Sequence, residues 1–313
     1  MSNLSNLNAP IEMECDLSYD NSWEIIKYSL QFAYLIPGIL MHFGILRTVL
    51  WKYWSIYRDN SFFMIYTVDS MASLIILTHD TLINRPVLFI PPLCPILSPF
   101  FFEPSILLKT LFIIPNYFRA IKSVTQILMS INCMTCVIFP MDYIRIWKKY
   151  LKFAIIITLL SPFLVVWNLI LSRVYVMATF GGFSCNYIKY VKWASLSQLL
   201  LIFIILAIFI TIISTVITLI YLFALPMRLK AAEKTLCFLN LTISASFLFV
   251  AGGQSLFAFF QFVDSSTIYV LQYFAYDFLN LSSPIVMVLI NPQLRGHILK
   301  GINGENENGN RNF

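Results

Sequence analysis

The sequence predicts an all-α, polytopic membrane protein whose fold is a bundle of seven transmembrane helices. The chain is 59% hydrophobic and only 12% charged, whereas a soluble globular domain has about 45–50% apolar and about 25% charged residues. Several apolar runs approach or exceed the roughly 20 residues that cross a bilayer core. Basic residues concentrate in alternate loops, as in membrane proteins. The composition excludes a soluble domain, and we interpret the net charge of +6 as a result of topology, with no nucleic-acid partner.

Seven apolar segments predict the transmembrane spans in chain order. They cover approximately residues 27–50, 62–84, 105–140, 153–173, 194–225, 236–260 and 268–290. Each is long enough to cross the bilayer, alone or with a modest tilt. We therefore expect this whole region to be embedded in the lipid bilayer.

The stretch 85–104, between spans 2 and 3, is apolar but rich in proline. Its prolines are Pro86, Pro91, Pro92, Pro95, Pro99 and Pro104. A proline inside a helix removes a backbone donor and interrupts the helical hydrogen bonds. We therefore predict an irregular loop that lies against the outer surface. A re-entrant segment is the alternative, and its backbone would have to be shielded from lipid.

The positions of Lys and Arg predict the orientation of the chain. Most of them follow spans 1, 3, 5 and 7, namely Arg47, Lys52, Arg58, Arg145, Lys148, Lys149, Lys152, Arg228, Lys230, Lys234, Arg295, Lys300 and Arg311. The first 26 residues contain none. The positive-inside rule then places the N-terminus outside and the C-terminus in the cytoplasm. The predicted segments are an extracellular tail (1–26), a seven-helix domain (27–290) and a cytoplasmic tail (291–313).

Three of the six cysteines fall on the predicted outer side, where disulfides form: Cys15, Cys94 and Cys185. The pairing that we favour is Cys94 with Cys185, because it would tie the loop after span 4 to the entrance of span 3. Unpaired thiols are the open alternative, since spacing alone does not establish connectivity. No Cys and His residues stand at metal-ligand spacing, so we predict no metal and no cofactor.

Polar residues recur at helical spacing inside spans 2 and 7. They are Asp69, Ser73 and Asp80 in span 2, and Tyr273, Asp277 and Asn280 in span 7. Polar side chains within a membrane are costly and normally face the bundle interior. We predict that Asp69, Ser73, Asp277 and Asn280 form an intramembrane polar network that holds a sodium ion, water or a protonated carboxyl group. Structural polar contacts between helices are the alternative.

Five stretches of the chain carry a family resemblance. They read SILLKTLFIIPNYFRAIKSVTQILMSINCMTCVIFPMDYIRIWKKY, SPFLVVWNLILSRVY, GGFSCNYIKYVKWASLSQ, LPMRLKAAEKTL and LSSPIVMVLINPQLRGHIL. As a set they resemble the nematode serpentine receptor class gamma chemoreceptors, a seven-helix family similar to G-protein-coupled receptors. The resemblance covers roughly residues 25–300.

This resemblance implies a chemosensory receptor that detects an external small molecule and signals to a heterotrimeric G protein. It implies a multi-pass protein of the plasma membrane, with sensory-neuron cilia as one candidate location. Aromatic residues near the outer ends of the spans are the candidate ligand pocket: Tyr117, Trp167, Trp193, Phe257, Phe260, Tyr269 and Tyr273. Such a lining suits a mostly apolar ligand. The alternative is that these rings anchor the helices at the membrane interface.

The cytoplasmic end of span 3 departs from the family pattern. Asn132 matches the expected residue, but Cys133 stands where an Arg is expected. The candidate coupling residues are Asn132, Cys133, Arg145, Lys148, Lys149, Arg228, Lys230 and Arg295, although the positive-inside rule alone also predicts the basic ones. An orphan or coupling-impaired receptor of the same fold is therefore the main alternative function.

Other classes of membrane protein fit the sequence less well. A small-solute transporter would be expected to show internal repeats with paired broken helices, and the two halves of the chain show no convincing repeat. A membrane enzyme would need converging nucleophile, base or metal ligands. The three histidines, His42, His79 and His297, lie in different parts of the chain, so we predict that the protein is not an enzyme.

Overall fold

A computed structural model describes residues 9–16, 18–224, 231–259 and 265–302. The long helices are α1 (Asn21–Arg47), α3 (Ser61–His79), α6 (Ile106–Ile138), α7 (Tyr143–Leu160), α8 (Phe163–Leu171), α9 (Leu196–Ala224), α10 (Ala231–Phe259), α11 (Ser265–Ile290) and α12 (Pro292–Ile302). Short helices are α2 (Trp54–Tyr57), α4 (Arg85–Phe89) and α5 (Cys94–Leu97). The strands are β1 (Arg173–Thr179) and β2 (Gly182–Ile188).

Within the described residues, seven helical segments are long and apolar enough to cross a membrane. They are Asn21–Lys52, Ser61–Phe89, Ile106–Ile138, Tyr143–Leu171, Leu196–Tyr221, Phe238–Leu256 and Tyr269–Ile290, and they are called spans 1 to 7 from here on. The predicted seven-helix bundle is confirmed. Turns of π-helix, Thr48–Lys52 and Asp80–Asn84, continue spans 1 and 2 beyond their α-helical parts.

Side-chain caps fix where three of the spans begin. Asp20 accepts a hydrogen bond from the backbone N–H of Ser22 at the start of α1. Asn60 and Ser105 cap α3 and α6 in the same way. Such residues satisfy backbone donors that have no partner inside the helix. The polar residues that precede the apolar runs therefore define the ends of the membrane segments.

The proline-rich stretch 85–104 differs from the predicted irregular loop. Here α4 and α5 alternate with turns of 3₁₀-helix over Pro91–Leu93 and Ser98–Phe101. Each piece carries a proline in its first positions, where the missing N–H costs no helical bond. The prolines prevent a continuous helix, as expected, but they start short helical turns.

A β-hairpin between spans 4 and 5 was not predicted. Strands β1 and β2 pair antiparallel, and Thr179 lies opposite Gly182 at the turn. A Cβ atom at Gly182 would overlap the backbone carbonyl oxygens of Val87 and Leu88. The hairpin therefore packs directly against α4. Gly182 has no side chain, so it leaves room for the α4 backbone at this contact.

The disulfide joins Cys15 to Cys94, so the predicted pairing of Cys94 with Cys185 is wrong. The N-terminal segment packs against the cluster of buried apolar residues at the hairpin end of the bundle, with Met13 and Cys15 in contact with it. This packing places Cys15 beside the fully buried Cys94. Cys185 on β2 is a free thiol, and burial raises its pKa to about 12, so it stays protonated at neutral pH.

Helix α6 is the central element of the bundle. It packs against α3, α7, α8, α9 and α10, and α11 closes the bundle between α1 and α10. One apolar cluster fills the hairpin end, and a larger one fills the opposite end, where α12 packs against α1 and the π-helical turn that follows it. Two of the basic side chains in the bundle interior, Arg119 and Lys122, belong to α6.

We predict that the disulfide holds the N-terminal segment on the hairpin end. Cys15→Ser and Cys94→Ser should each lower the thermal unfolding temperature of the purified protein, because losing a disulfide of this kind costs about 2–5 kcal/mol. Cys185→Ser, the matched control, should leave it unchanged. Non-reducing peptide mapping should find Cys15 linked to Cys94, and a Cys185 cross-link would contradict the structure.

Candidate functional site

A cavity of about 480 Å³ lies at the hairpin end of the bundle. Strand β2 and spans 2, 3, 5, 6 and 7 all contribute to its wall, span 2 through Asn84 and α4. Its lining residues are Asn84, Val87, Leu88, Phe112, Pro115, Asn116, Arg119, Phe183, Ser184, Cys185, Asn186, Tyr187, Lys189, Ser195, Leu196, Ser197, Gln198, Leu200, Gln254, Tyr269, Gln272, Tyr273 and Tyr276. The volume is in the range of small-molecule sites in proteins.

Two of the predicted pocket aromatics line this cavity, namely Tyr269 and Tyr273. Three others do not. The Tyr117 hydroxyl donates to the backbone oxygen of Leu159 at 2.6 Å. Trp167 and Trp193 pack on each other with ring centroids 6.2 Å apart, and Trp193 is 73% exposed. Phe260 and the side chain of Phe257 lie outside the described residues.

The lining is more polar than the aromatic prediction suggested. Six amide side chains and three serines face the cavity together with its tyrosines. Gln272 donates to the side-chain oxygen of Gln254 at 2.7 Å, and Gln254 donates to the backbone oxygen of Ser197 at 3.3 Å. These bonds link spans 5, 6 and 7 at the wall. The sequence did not reveal them, because polar residues near helix ends resemble ordinary loop residues.

Arg119 on span 3 is the cation of the cavity wall that belongs to the helical bundle, whereas Lys189 follows β2. Its Nη2 atom lies 3.4 Å from an oxygen of Asp80, and its Nη1 atom lies 3.4 Å from the side-chain oxygen of Asn116. The guanidinium stacks over the ring of Tyr276, 4.5 Å from its centroid. Asn84 donates to the other oxygen of Asp80 at 2.6 Å. Spans 2, 3 and 7 therefore meet at this ion pair.

A second ion pair joins spans 2 and 7 beside the cavity. Arg85, which is fully buried, donates to Asp277 at 2.5 Å and to Gln31 at 2.7 Å. The hydroxyl of Tyr34 donates to the second oxygen of Asp277 at 2.5 Å. Gln31 and Tyr34 belong to span 1, so one buried carboxylate connects three spans.

A third ion pair lies deeper along span 3. The Lys122 ammonium is 3.1 Å from Asp69 and donates to the hydroxyl of Ser73 at 2.5 Å. The hydroxyl of Thr125 donates to the other oxygen of Asp69 at 2.9 Å. All four side chains are buried. A tethered ammonium thus occupies the position for which the sequence suggested sodium or water.

The four residues of the predicted polar network do not form one network. Asp69 and Ser73 bind Lys122, whereas Asp277 binds Arg85. Asn280 contributes its backbone oxygen, which lies 2.9 Å from Nε2 of His42. The prediction missed the cations, because basic residues near the ends of apolar runs resemble the charges of loops. The sequence did contain one indication of these partners. Arg85, Arg119 and Lys122 lie at or inside the apolar runs rather than in the loops between them.

The opposite end of the bundle holds the candidate coupling residues. Asn132 donates to the hydroxyl of Ser61 at 2.8 Å and accepts from the hydroxyl of Tyr143 at 2.9 Å, so it links spans 2, 3 and 4. Cys133 is buried in the apolar cluster of that end. The exposed basic residues are Arg145, Lys148, Lys149 and Arg295. Arg228 and Lys230 lie outside the described residues.

Among the described residues, no group of three His, Cys, Asp or Glu side chains has the arrangement of a metal site. The interior carboxylates of Asp69, Asp80 and Asp277 are each paired with a basic side chain. The cavity is lined by hydrogen-bonding groups, aromatic rings and basic side chains. Side chains of these kinds are typical of small-molecule binding sites.

Comparison with known proteins gives consistent results over nearly the whole chain. The model of the Srg family of chemoreceptors matches residues 28–298. Serpentine receptor class gamma-5 of Caenorhabditis elegans is 45% identical over 301 residues, 96% of this chain and 93% of that protein. Serpentine receptor class gamma-16 of the same organism is 44% identical, over 92% of this chain and 89% of that protein.

We predict that Lys122 contributes to stability chiefly by compensating the buried charge of Asp69. Lys122→Met should destabilise the purified protein by about 3–5 kcal/mol, because it leaves Asp69 as an uncompensated buried charge. The double variant Lys122→Met/Asp69→Leu should regain most of this loss, since a buried pair replaced by apolar residues is often neutral. Thermal unfolding in detergent measures both. Equal destabilisation by the single and double variants would contradict the pairing.

Proposed function

Because the chain belongs to the Srg family of chemoreceptors, we propose that it detects an external small molecule in the cavity at the hairpin end and signals to a heterotrimeric G protein. The observation that carries this proposal is the cavity itself. It has the volume of a ligand site and is lined by five spans of the bundle at once. A ligand bound there contacts the elements whose relative positions define the state of a receptor.

The proposed orientation places the N-terminus and the cavity outside the cell and the C-terminus in the cytoplasm. Two observations support it. The exposed basic residues Arg145, Lys148 and Lys149 lie at the end opposite the cavity, in agreement with the positive-inside rule. The disulfide between Cys15 and Cys94 lies at the hairpin end, and disulfides persist on the oxidising side of a membrane. This arrangement suits a multi-pass protein of the plasma membrane, including that of sensory cilia.

The proposed signal begins at hydrogen bonds that a ligand can replace. Gln272 on span 7 binds Gln254 on span 6, which binds the backbone of span 5 at Ser197. A ligand with its own donors and acceptors competes for these groups. It shifts the population of bundle arrangements only by the difference between its affinities for them. Spans 5, 6 and 7 are therefore the elements that we expect to move.

The signal is proposed to leave the protein through the opposite end. There the exposed Arg145, Lys148, Lys149 and Arg295 offer a cationic surface to a G protein. Asn132 holds spans 2, 3 and 4 together through Ser61 and Tyr143. Cys133 is buried and provides no cation, and this observation favours the alternative of a coupling-impaired receptor with the same fold.

We predict that filling the cavity abolishes the response. A G-protein activation assay in cells, run over a panel of small metabolites, should show ligand-dependent signalling for the wild type. Ser197→Phe should reduce that signal at least tenfold, because the added ring occupies the cavity. Thr110→Phe, on an exposed position of the same bundle, is the matched control and should respond like the wild type. Surface labelling verifies equal expression.

Neutralising the basic surface should separate binding from signalling. The triple change of Arg145, Lys148 and Lys149 to Gln should lower the maximal response at unchanged ligand affinity. A silent wild type that binds ligand would instead support the coupling-impaired alternative, and Cys133 would then be the residue to change next.

The orientation has its own prediction. An epitope tag at the N-terminus should be stained by antibody in intact cells, whereas a tag at the C-terminus should be stained only after permeabilisation. The reversed pattern would place the cavity in the cytoplasm and remove the basis for detecting an external ligand. A chain that carries a different tag at each end provides the internal control.

A further inference from the structure

We propose that the cavity binds a small organic anion, with its oxyanion head group on Arg119 and its remaining polar groups on the surrounding amides and hydroxyls. This inference rests on the proposed receptor function and adds the chemical class of the ligand. It follows from three features of the wall: its charges, the bonding of Arg119 and the nature of the other lining residues.

The charged residues that line the cavity are basic. They are Arg119, in the wall, and Lys189, which follows β2 and is exposed. Among the described residues, no Asp or Glu side chain lines the cavity. A concave site with one sign of charge and low-dielectric walls attracts ligands of the opposite sign. Asp80 pairs with Arg119 but does not line the cavity, so the charged side chains that a ligand meets are positive and favour an anion over a cationic ligand.

The bonding of Arg119 leaves it able to accept a further partner. Charge-assisted bonds between a guanidinium and an oxyanion are usually about 2.7–2.9 Å long, but Arg119 lies 3.4 Å from both Asp80 and Asn116. Its Nε atom is buried without a hydrogen-bond partner within the described structure, as is that of Arg85, so the difference between the two cations lies in their Nη atoms. The five donors of a guanidinium are thus incompletely used, and the stacking over Tyr276 holds its plane in place.

The other interior cations are different. Arg85 binds Asp277 at 2.5 Å and Gln31 at 2.7 Å, and it does not line the cavity. Lys122 is bound to Asp69 and Ser73 and also lies outside the cavity wall. Of these three cations, Arg119 alone lines the cavity, and its ion pair is the longest, 3.4 Å against 3.1 Å for Lys122 and 2.5 Å for Arg85. The difference between Arg85 and Arg119 distinguishes a structural cation from one that can receive a ligand.

The rest of the wall defines the remainder of the ligand. Amide groups such as Gln198 and Asn186, together with Ser184 and Tyr269, carry both donors and acceptors. An apolar part of the wall includes Phe112. A ligand that fills about 480 Å³ therefore carries hydroxyl or carbonyl groups and a short apolar portion besides its anionic head group.

A binding experiment on the purified full-length protein tests this inference without relying on signalling. The probes are linear and hydroxylated carboxylic acids of three to ten carbons, each paired with its methyl ester and its primary amine, and the sulfate and phosphate esters of the matching alcohols. Thermal stabilisation is measured over a concentration series up to 10 mM. We expect one or more anions to bind, and their neutral and cationic counterparts to bind at least tenfold more weakly.

Variants locate the head group. Arg119→Gln should weaken anion binding about tenfold to a hundredfold, the range of a lost charge-assisted bond. The double variant Arg119→Gln/Asp80→Asn should show the same loss while leaving no buried carboxylate unpaired, which keeps the test valid if the single variant is unstable. Lys109→Gln, a basic residue outside the cavity wall on the same helix, is the control and should bind like the wild type.

Each outcome decides the inference. Binding of esters or amines as tightly as acids, unchanged binding in both Arg119 variants, or no binding by any anion of the set would overturn it. Anion binding in a protein that never activates a G protein would support the anion site and contradict the receptor function. Activation of the wild type by neutral ligands alone would support the receptor function and contradict the anion site.

Discussion

The pairing of three interior cations, two of them fully buried, with three buried carboxylates is the interaction on which the rest of the bundle depends. An isolated charge inside a membrane protein is costly, and removal of one partner from a buried pair destabilises far more than removal of both. Asp277 therefore requires Arg85, and Asp69 requires Lys122. Each pair joins different spans, so the lateral positions of spans 1, 2, 3 and 7 follow from where these charges meet.

Much of this fold could be predicted from the sequence, because a bilayer imposes its own length and polarity on a chain. The seven spans, the break at the prolines of 85–104 and the inward face of span 2 with Asp69 and Ser73 all follow from local composition. The partners of those residues do not. Which basic side chain reaches Asp69 depends on the rotation of span 3 about its axis, and the sequence of either helix alone does not specify that rotation.

The site was less predictable than the fold, for physical reasons that differ between its parts. The aromatic side chains near span ends serve equally as membrane anchors and as cavity walls, so Trp193 and Tyr273 looked alike although one is exposed and the other lines the cavity. The disulfide was misassigned because any of three outer cysteines satisfied the spacing. The true partner of Cys94, Cys15, lies on a segment whose path is determined by packing rather than by periodicity.

The hairpin and α4 lie against each other through Gly182, and together they contribute Val87, Leu88 and the residues of β2 to the cavity. None of these residues takes part in the three ion pairs. Under the proposed function, substitutions here would alter the surroundings of the ligand while the charged interior of the bundle stays intact, as is usual for functional loops on a rigid scaffold. In the proposed receptor, changes confined to the hairpin and α4 would therefore change ligand specificity without disturbing the ion pairs that hold the spans together.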